Sequence, residues 1–199
     1  MVASTLASSA LANVITFETA PSGDGFTGPV TENGFTYSTL SGGLYVNGFG
    51  NPGQDMEGSQ TVGGGVLKIV SATGGDFNFD DVDFAAFASS GTGSQTLNVA
   101  GLLGASLVGT DMYTLANTST FAPKYSNWTT EAASVLAGKT LSELDITLNA
   151  GGTPSLFLEA IDNVVLTSVS AAVPEPSSLA LLGAGVLGLG WIRRRRKMA

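Results

Sequence analysis

From residue 14 to residue 169 the chain is written in short runs where apolar and polar side chains alternate, divided by clusters of Gly, Asn, Asp and Pro. The run at 34–40, Gly-Phe-Thr-Tyr-Ser-Thr-Leu, shows the period most cleanly, with Phe35 and Tyr37 on one side and Thr36 and Ser38 on the other. A period of two places alternate residues on opposite faces of a strand, one face buried and one wet. Further runs lie at 14–18, 66–71, 77–87, 95–99, 106–115, 141–148 and 156–169, and turn clusters lie at 23–28, 50–53, 63–65, 91–93 and 149–154. Eight or nine short strands at this spacing predict an all-β fold, an antiparallel β-sandwich. The only stretch with a helical period is 130–136. The segment 90–94 is too short to link two domains, and no internal repeat points to a solenoid or propeller. One β domain over 13–172 is therefore expected.

Asp76, Asn78 and Asp80 carry the spacing that opens an EF-hand loop. That loop also needs Gly at its sixth position and Glu at its twelfth, where Asp81 and Phe87 stand. As a strand, the segment places Phe77 and Phe79 on one face and the three polar residues on the other. Asp80-Asp81 then breaks the alternation as a β-bulge would.

Composition agrees with the pattern. Gly is 27 of 199 residues and charged residues only 12%, while 43% hydrophobic residues can bury a core. The charge is lopsided: residues 13–172 hold fifteen acids against Lys68, Lys124 and Lys139, a net of −12. A surface this acidic repels polyanions, so no nucleic-acid partner is expected. The absence of Cys and His excludes thiol chemistry, the Ser-His-Asp triad and imidazole-ligated zinc. Hydrolysis by a carboxylate pair stays formally open, but no motif flags such a pair. No catalytic residue is assigned and no enzyme is expected.

Both ends read as targeting segments. Residues 1–12 are small and apolar and close on Ala10-Leu11-Ala12, a small-x-small cleavage pattern, but no basic residue precedes them. They read as the remnant of a secretion signal; a loose Ala/Ser terminus is the plainer alternative. At the other end Val173, Pro174, Glu175 and Pro176 precede an uncharged stretch at 177–192, from which Arg193, Arg194, Arg195, Arg196 and Lys197 follow directly. As a helix that stretch would span about 24 Å at 1.5 Å per residue, against a hydrocarbon core of about 30 Å. One C-terminal transmembrane helix is expected. Leu179 would open it, while Trp191 and Ile192 close it at the headgroups and the basic tail stays in the cytoplasm. Gly183, Gly185 and Gly188 match the dinucleotide fingerprint in letters only, for no strand precedes them and no βαβ unit follows.

Val-Pro-Glu-Pro-Ser, then an apolar helix, then an Arg cluster, resembles the PEP-CTERM sorting signal, also called the ice-binding protein C-terminal domain. The resemblance covers 173–198. It implies export through the secretion translocon and transient anchoring in the inner membrane of a Gram-negative bacterium, with the domain outside. It also implies recognition by an exosortase that cleaves near Pro174-Glu175-Pro176. The protein would then reach the cell surface or the medium, among exopolysaccharide and biofilm. Ice binding would call for a regular array of Thr, which the chain lacks.

The domain resembles the jelly-roll, carbohydrate-binding-module-like domains of such proteins. The fragments that carry this likeness are Ile-Thr-Phe-Glu at 15–18, Phe-Asn-Phe-Asp-Asp-Val-Asp-Phe at 77–84 and Leu-Glu-Ala-Ile-Asp-Asn-Val-Val-Leu at 158–166. It implies pairing of the first and last strands, with Glu18 and Asp162 sharing a structural calcium completed by Asp24 or backbone carbonyls. Beyond that ion no cofactor is expected. Among the aromatics, Tyr113, Tyr125 and Trp128, with Tyr45 and Phe49, are candidate platforms for sugar rings, although core packing explains most of them equally well. Asn127-Trp128-Thr129 fits a glycosylation pattern of little weight in a bacterium. Two functions remain: a non-enzymatic surface or matrix protein, and a carbohydrate-binding module with a defined glycan.

Overall fold

The computed structural model describes residues 12–120, 125–151 and 156–169. The described residues form thirteen strands and no helix: β1 (Ala12–Ile15), β2 (Gly23–Phe26), β3 (Val30–Glu32), β4 (Phe35–Gly42), β5 (Leu44–Gly50), β6 (Gly53–Gly58), β7 (Gly64–Ser71), β8 (Phe77–Ala88), β9 (Ser94–Leu103), β10 (Ser106–Ala116), β11 (Thr129–Ala132), β12 (Glu143–Gly151) and β13 (Phe157–Ser168). All the strand pairings are antiparallel. One sheet runs β2-β5-β6-β13-β8-β11, with β1 on the same edge of β13 as β6. The other runs β3-β4-β7-β12-β9-β10. The last residues of β12, Ala150 and Gly151, pair with Leu158 and Phe157 and join the sheets at one corner. The protein is an all-β antiparallel sandwich, as the alternation predicts.

The alternation also says what lies between the sheets. Phe35 and Tyr37 of β4, Leu67 and Ile69 of β7 and Leu144, Ile146 and Leu148 of β12 pack in one core with Val46, Met56, Phe77, Phe84, Ile161 and Val164 of the opposite sheet. Phe35 meets Phe77 edge-on at 5.3 Å between ring centres, the arrangement that aromatic quadrupoles favour. Asn33, at φ 47°, and Gly34, at φ 85°, make the two-residue turn from β3 to β4. Both positions need the left-handed region, which this pair adopts at low cost.

The bulge expected at Asp80-Asp81 is present. Phe79 pairs with Leu166 and Asp81 with Val165, which leaves Asp80 as the extra residue, and Phe79 and Val82 both point inward. A second irregularity follows at Asn163, held at φ 47°. Together they set Asp83, Ala85 and Phe87 of β8 beside Asp162, Ala160 and Leu158 of β13 on the outer face.

Two expectations are corrected. The 130–136 stretch is not helical: β11 occupies its start and a loop follows. Its loop is instead gathered around the buried carboxylate of Asp111, which accepts the N–H groups of Ser134, Val135 and Leu136 and the Ser134 hydroxyl. Strands β2, β3, β5, β6 and β11 exceed the eight or nine expected, because Gly, Asn and Asp in β5 and β6 imitate turn chemistry. The paired end strands implied by the jelly-roll likeness are β1 and β13. Of the expected signal remnant at 1–12 all but Ala12 lies outside the described residues, as does 170–199 with Val173 to Pro176, the apolar stretch and the basic tail. No described helix is long and apolar enough to cross a membrane.

Candidate functional site

Tyr125 and Trp128, from the segment before β11, pack on the outer face of the β2-β5-β6-β13-β8-β11 sheet. In β6, Met56 points into the core, so the period of two sends Asp55 and Glu57 outward. Tyr45, Asn47 and Phe49 of β5 share that face. Ala85, Phe87, Leu158 and Ala160 form a small second core there with Tyr125, packed against Phe49 and Trp128.

Tyr113 and Tyr125 are therefore not exposed platforms, contrary to the reading from sequence. Tyr125 is 1% exposed, and its hydroxyl donates to Glu57 Oε1. Tyr113 lies in the main core and donates to the Ala132 carbonyl at 3.0 Å. Trp128 is half-buried, edge-on to Tyr125 at 5.6 Å, and its Nε1 donates to the Phe49 carbonyl at 3.3 Å. Asn127 donates to the carbonyls of Ala86 and Ala116, so its amide is a structural tie rather than a modification site.

Acids that no motif flagged are drawn together here. Asp55 is fully buried; its Oδ1 accepts the Phe49 N–H at 3.1 Å. Burial and the adjacent Glu57 push its carboxyl far up, and burial pushes Glu57 up as well. Asp55 Oδ2 has no other hydrogen-bond partner. It gains one if the Asp55 carboxyl keeps its proton and donates it to Glu57, which also takes the Tyr125 hydroxyl. Like charges this close do not both ionise in a dry site. Only the alternation around Met56 could have revealed this pair, and alternation alone cannot say that the face is covered.

Glu18 and Asp162 meet at one turn. Asp162 Oδ2 accepts the Asn51 N–H at 2.6 Å and Oδ1 the Asn163 N–H at 2.7 Å. Glu18 Oε1 accepts the Gln54 N–H at 2.7 Å. Gly53, at φ 94°, lies under Glu18, where any side chain would collide with Oε1. Asn163 closes the set by donating to the Asn51 carbonyl at 2.6 Å and to Asp83 Oδ2 at 2.8 Å. Burial first, with Asp83 and Glu18 nearby, raises Asp162 to about 7.

The oxygens of this pair are already engaged within the protein. Three of the four carboxylate oxygens accept backbone N–H groups, where calcium takes six to eight oxygens. No group of three or more acids that could hold a metal occurs among the described residues. Asp24, one of the two ways expected to complete the shell beside backbone carbonyls, is held elsewhere by Thr61 Oγ1 at 2.7 Å and the Gly25 N–H. Glu18 and Asp162 act as a clasp on the β5–β6 turn.

Immediately beyond β13, residues 172–196 match the family model described as the PEP-CTERM protein-sorting motif. The chain carries a PEP-CTERM sorting signal. No curated protein sequence matches the chain. Among solved structures the chain is similar to a CBM29-2 mutant, a family 29 carbohydrate-binding module. That likeness has 13% identity and a TM-score of 0.44, covering 80% of this chain and 93% of that one. It is also similar to a DUF4465 family protein from Bacteroides caccae, with 10% identity and a TM-score of 0.43, covering 80% of this chain and 100% of that one.

Proposed function

We propose that this is an exported, non-enzymatic protein of the cell surface or extracellular matrix, sorted by an exosortase and associated with exopolysaccharide. The observation that carries the reading is the PEP-CTERM match at 172–196, directly after the β domain. On this reading the secretion translocon delivers the chain and residues 177–192, from Leu179 to Trp191 and Ile192, hold it in the inner membrane. Arg193, Arg194, Arg195, Arg196 and Lys197 stay in the cytoplasm. Cleavage near Pro174-Glu175-Pro176 then frees the domain. Mass spectrometry of the extracellular protein tests this: peptides from the β domain are expected and none from 180–191. Full-length protein ending at Ala199 in the medium would overturn it.

Binding of a defined glycan is a second reading, favoured by one observation. A cleft of about 170 Å³ opens beside Tyr45, a half-buried aromatic of β5, with polar groups around it. Retention of the protein by polysaccharide gels tests this reading.

A further inference from the structure

The cleft beside Tyr45 is built rather than incidental. It is lined by Asp24 of β2, Tyr45 of β5, Glu57 and Gly58 of β6, and Gln60 and Thr61 of the turn after it. Each carboxylate is fixed from behind. Asp24 is held by the hydroxyls of Ser59 and Thr61, which lower its pKa and keep it ionised at neutral pH, and by the Gly25 N–H. Glu57 is fixed by the Tyr125 hydroxyl. Gly58 must be glycine: a Cβ there would lie 2.8 Å from the backbone of Leu148 and Asn149, so β6 sits close against β12. Asp24, Thr61 and Glu57 are thus held in place before any ligand arrives, which lowers the ordering cost of binding.

The lining selects a ligand chemistry. An aromatic ring beside carboxylate, amide and hydroxyl groups suits a molecule with a C–H face and a rim of hydroxyls. The volume lies below the roughly 300–1,000 Å³ of pockets for drug-sized ligands, so it admits one ring rather than several. No Lys or Arg lines it, so an anionic ligand would meet only like charge. A second cleft of about 270 Å³ runs along residues 21–30 and shares Asp24, leaving room for a neighbouring unit of a chain.

We propose that this cleft binds one uncharged sugar ring of a polysaccharide, with Tyr45 stacking on the ring and Asp24 accepting its hydroxyls, and that it rejects uronic acids. The inference rests on the glycan-binding reading and adds to it the place and the charge of the ligand.

Affinity electrophoresis and calorimetry on the full chain in detergent test it, with oligosaccharides of neutral hexoses and with a galacturonate oligomer. The wild type should bind at least one neutral oligosaccharide and leave the galacturonate unbound. Tyr45→Ala should weaken neutral binding about tenfold or more, while Tyr45→Phe, which keeps the ring, should restore it. Asp24→Asn should narrow the preference for neutral over acidic sugar. Thermal melts of each variant show whether it folds, and the Tyr45→Phe result guards against a collapsed Tyr45→Ala. Neutral binding unchanged in Tyr45→Ala and Asp24→Asn would overturn the cleft and leave the glycan-binding reading standing. A wild type that prefers galacturonate would overturn the charge selection. No binding to any sugar would overturn both readings.

Discussion

Glu18 and Asp162, from opposite ends of the domain, grip the same hairpin turn: Glu18 Oε1 accepts the N–H of Gln54 and Asp162 Oδ2 accepts the N–H of Asn51. Pairing of β1 with β13 brings the two segments together. Asp162 is buried and serves two N–H groups, whereas Glu18 is exposed and serves one. Asp162→Ala should therefore cost about 3 kcal/mol and Glu18→Ala about 1 kcal/mol. In thermal melts each kcal/mol should appear as a fall of about 2–4 °C. Equal effects of the two substitutions would contradict the clasp.

Because the clasp is made of N–H donors, its stability should not depend on calcium. Melting temperatures of the full chain in calcium and in chelator should coincide. A calcium-dependent rise abolished by Asp162→Ala would mean that the two carboxylates hold a cation instead, since a ligand that binds only the folded state stabilises it by mass action.

Stability should fall as pH rises. Burial first raises Asp162 and Glu159 to about 7 and lifts Asp55 further. A carboxyl raised in the folded state holds a proton that the unfolded chain has released. Its contribution is full below the unfolded pKa of about 4 and is lost as pH climbs through the folded value. Asp24 and Asp111 work the other way. Hydrogen bonds from Ser59 and Thr61 lower Asp24; at Asp111 burial pulls upward but the Ser134 hydroxyl and the N–H groups of 134–136 prevail. Their contribution is lost in acid. Denaturant melts should thus peak at mildly acidic pH and decline towards about pH 9. Asp55→Asn, an amide that donates to Glu57 at every pH, should flatten the decline; an unchanged slope would count against the shared proton.

Tyr125→Phe removes the hydroxyl donated to Glu57 while keeping the ring on Trp128. A buried carboxylate left short of a donor should cost about 1–3 kcal/mol. Hydrogen exchange should quicken at residues 125–128 more than in β4 or β7. Uniform acceleration over the whole domain would show that the Tyr125 contact does not act locally.

Short-range chemistry was legible along the chain. The alternation at 34–40 and 77–87 and the bulge at Asp80 follow from side-chain period and backbone preference, which act between neighbours. The same holds for the Pro-Glu-Pro, apolar and Arg pieces of the sorting signal, whose meaning lies in their order. What only the tertiary structure decided is which outward face becomes an inside. Tyr125 and Tyr113 read as possible surface aromatics because nothing in their own neighbourhoods says that one packs down onto the outer face of a sheet and the other into the core between the sheets. Asp55 and Glu57 carry no motif, and only packing with β5, β13 and Tyr125 shuts water away from them. Covering a face depends on contacts between residues far apart in sequence. Local periodicity shows where a side chain points, but not what lies above it.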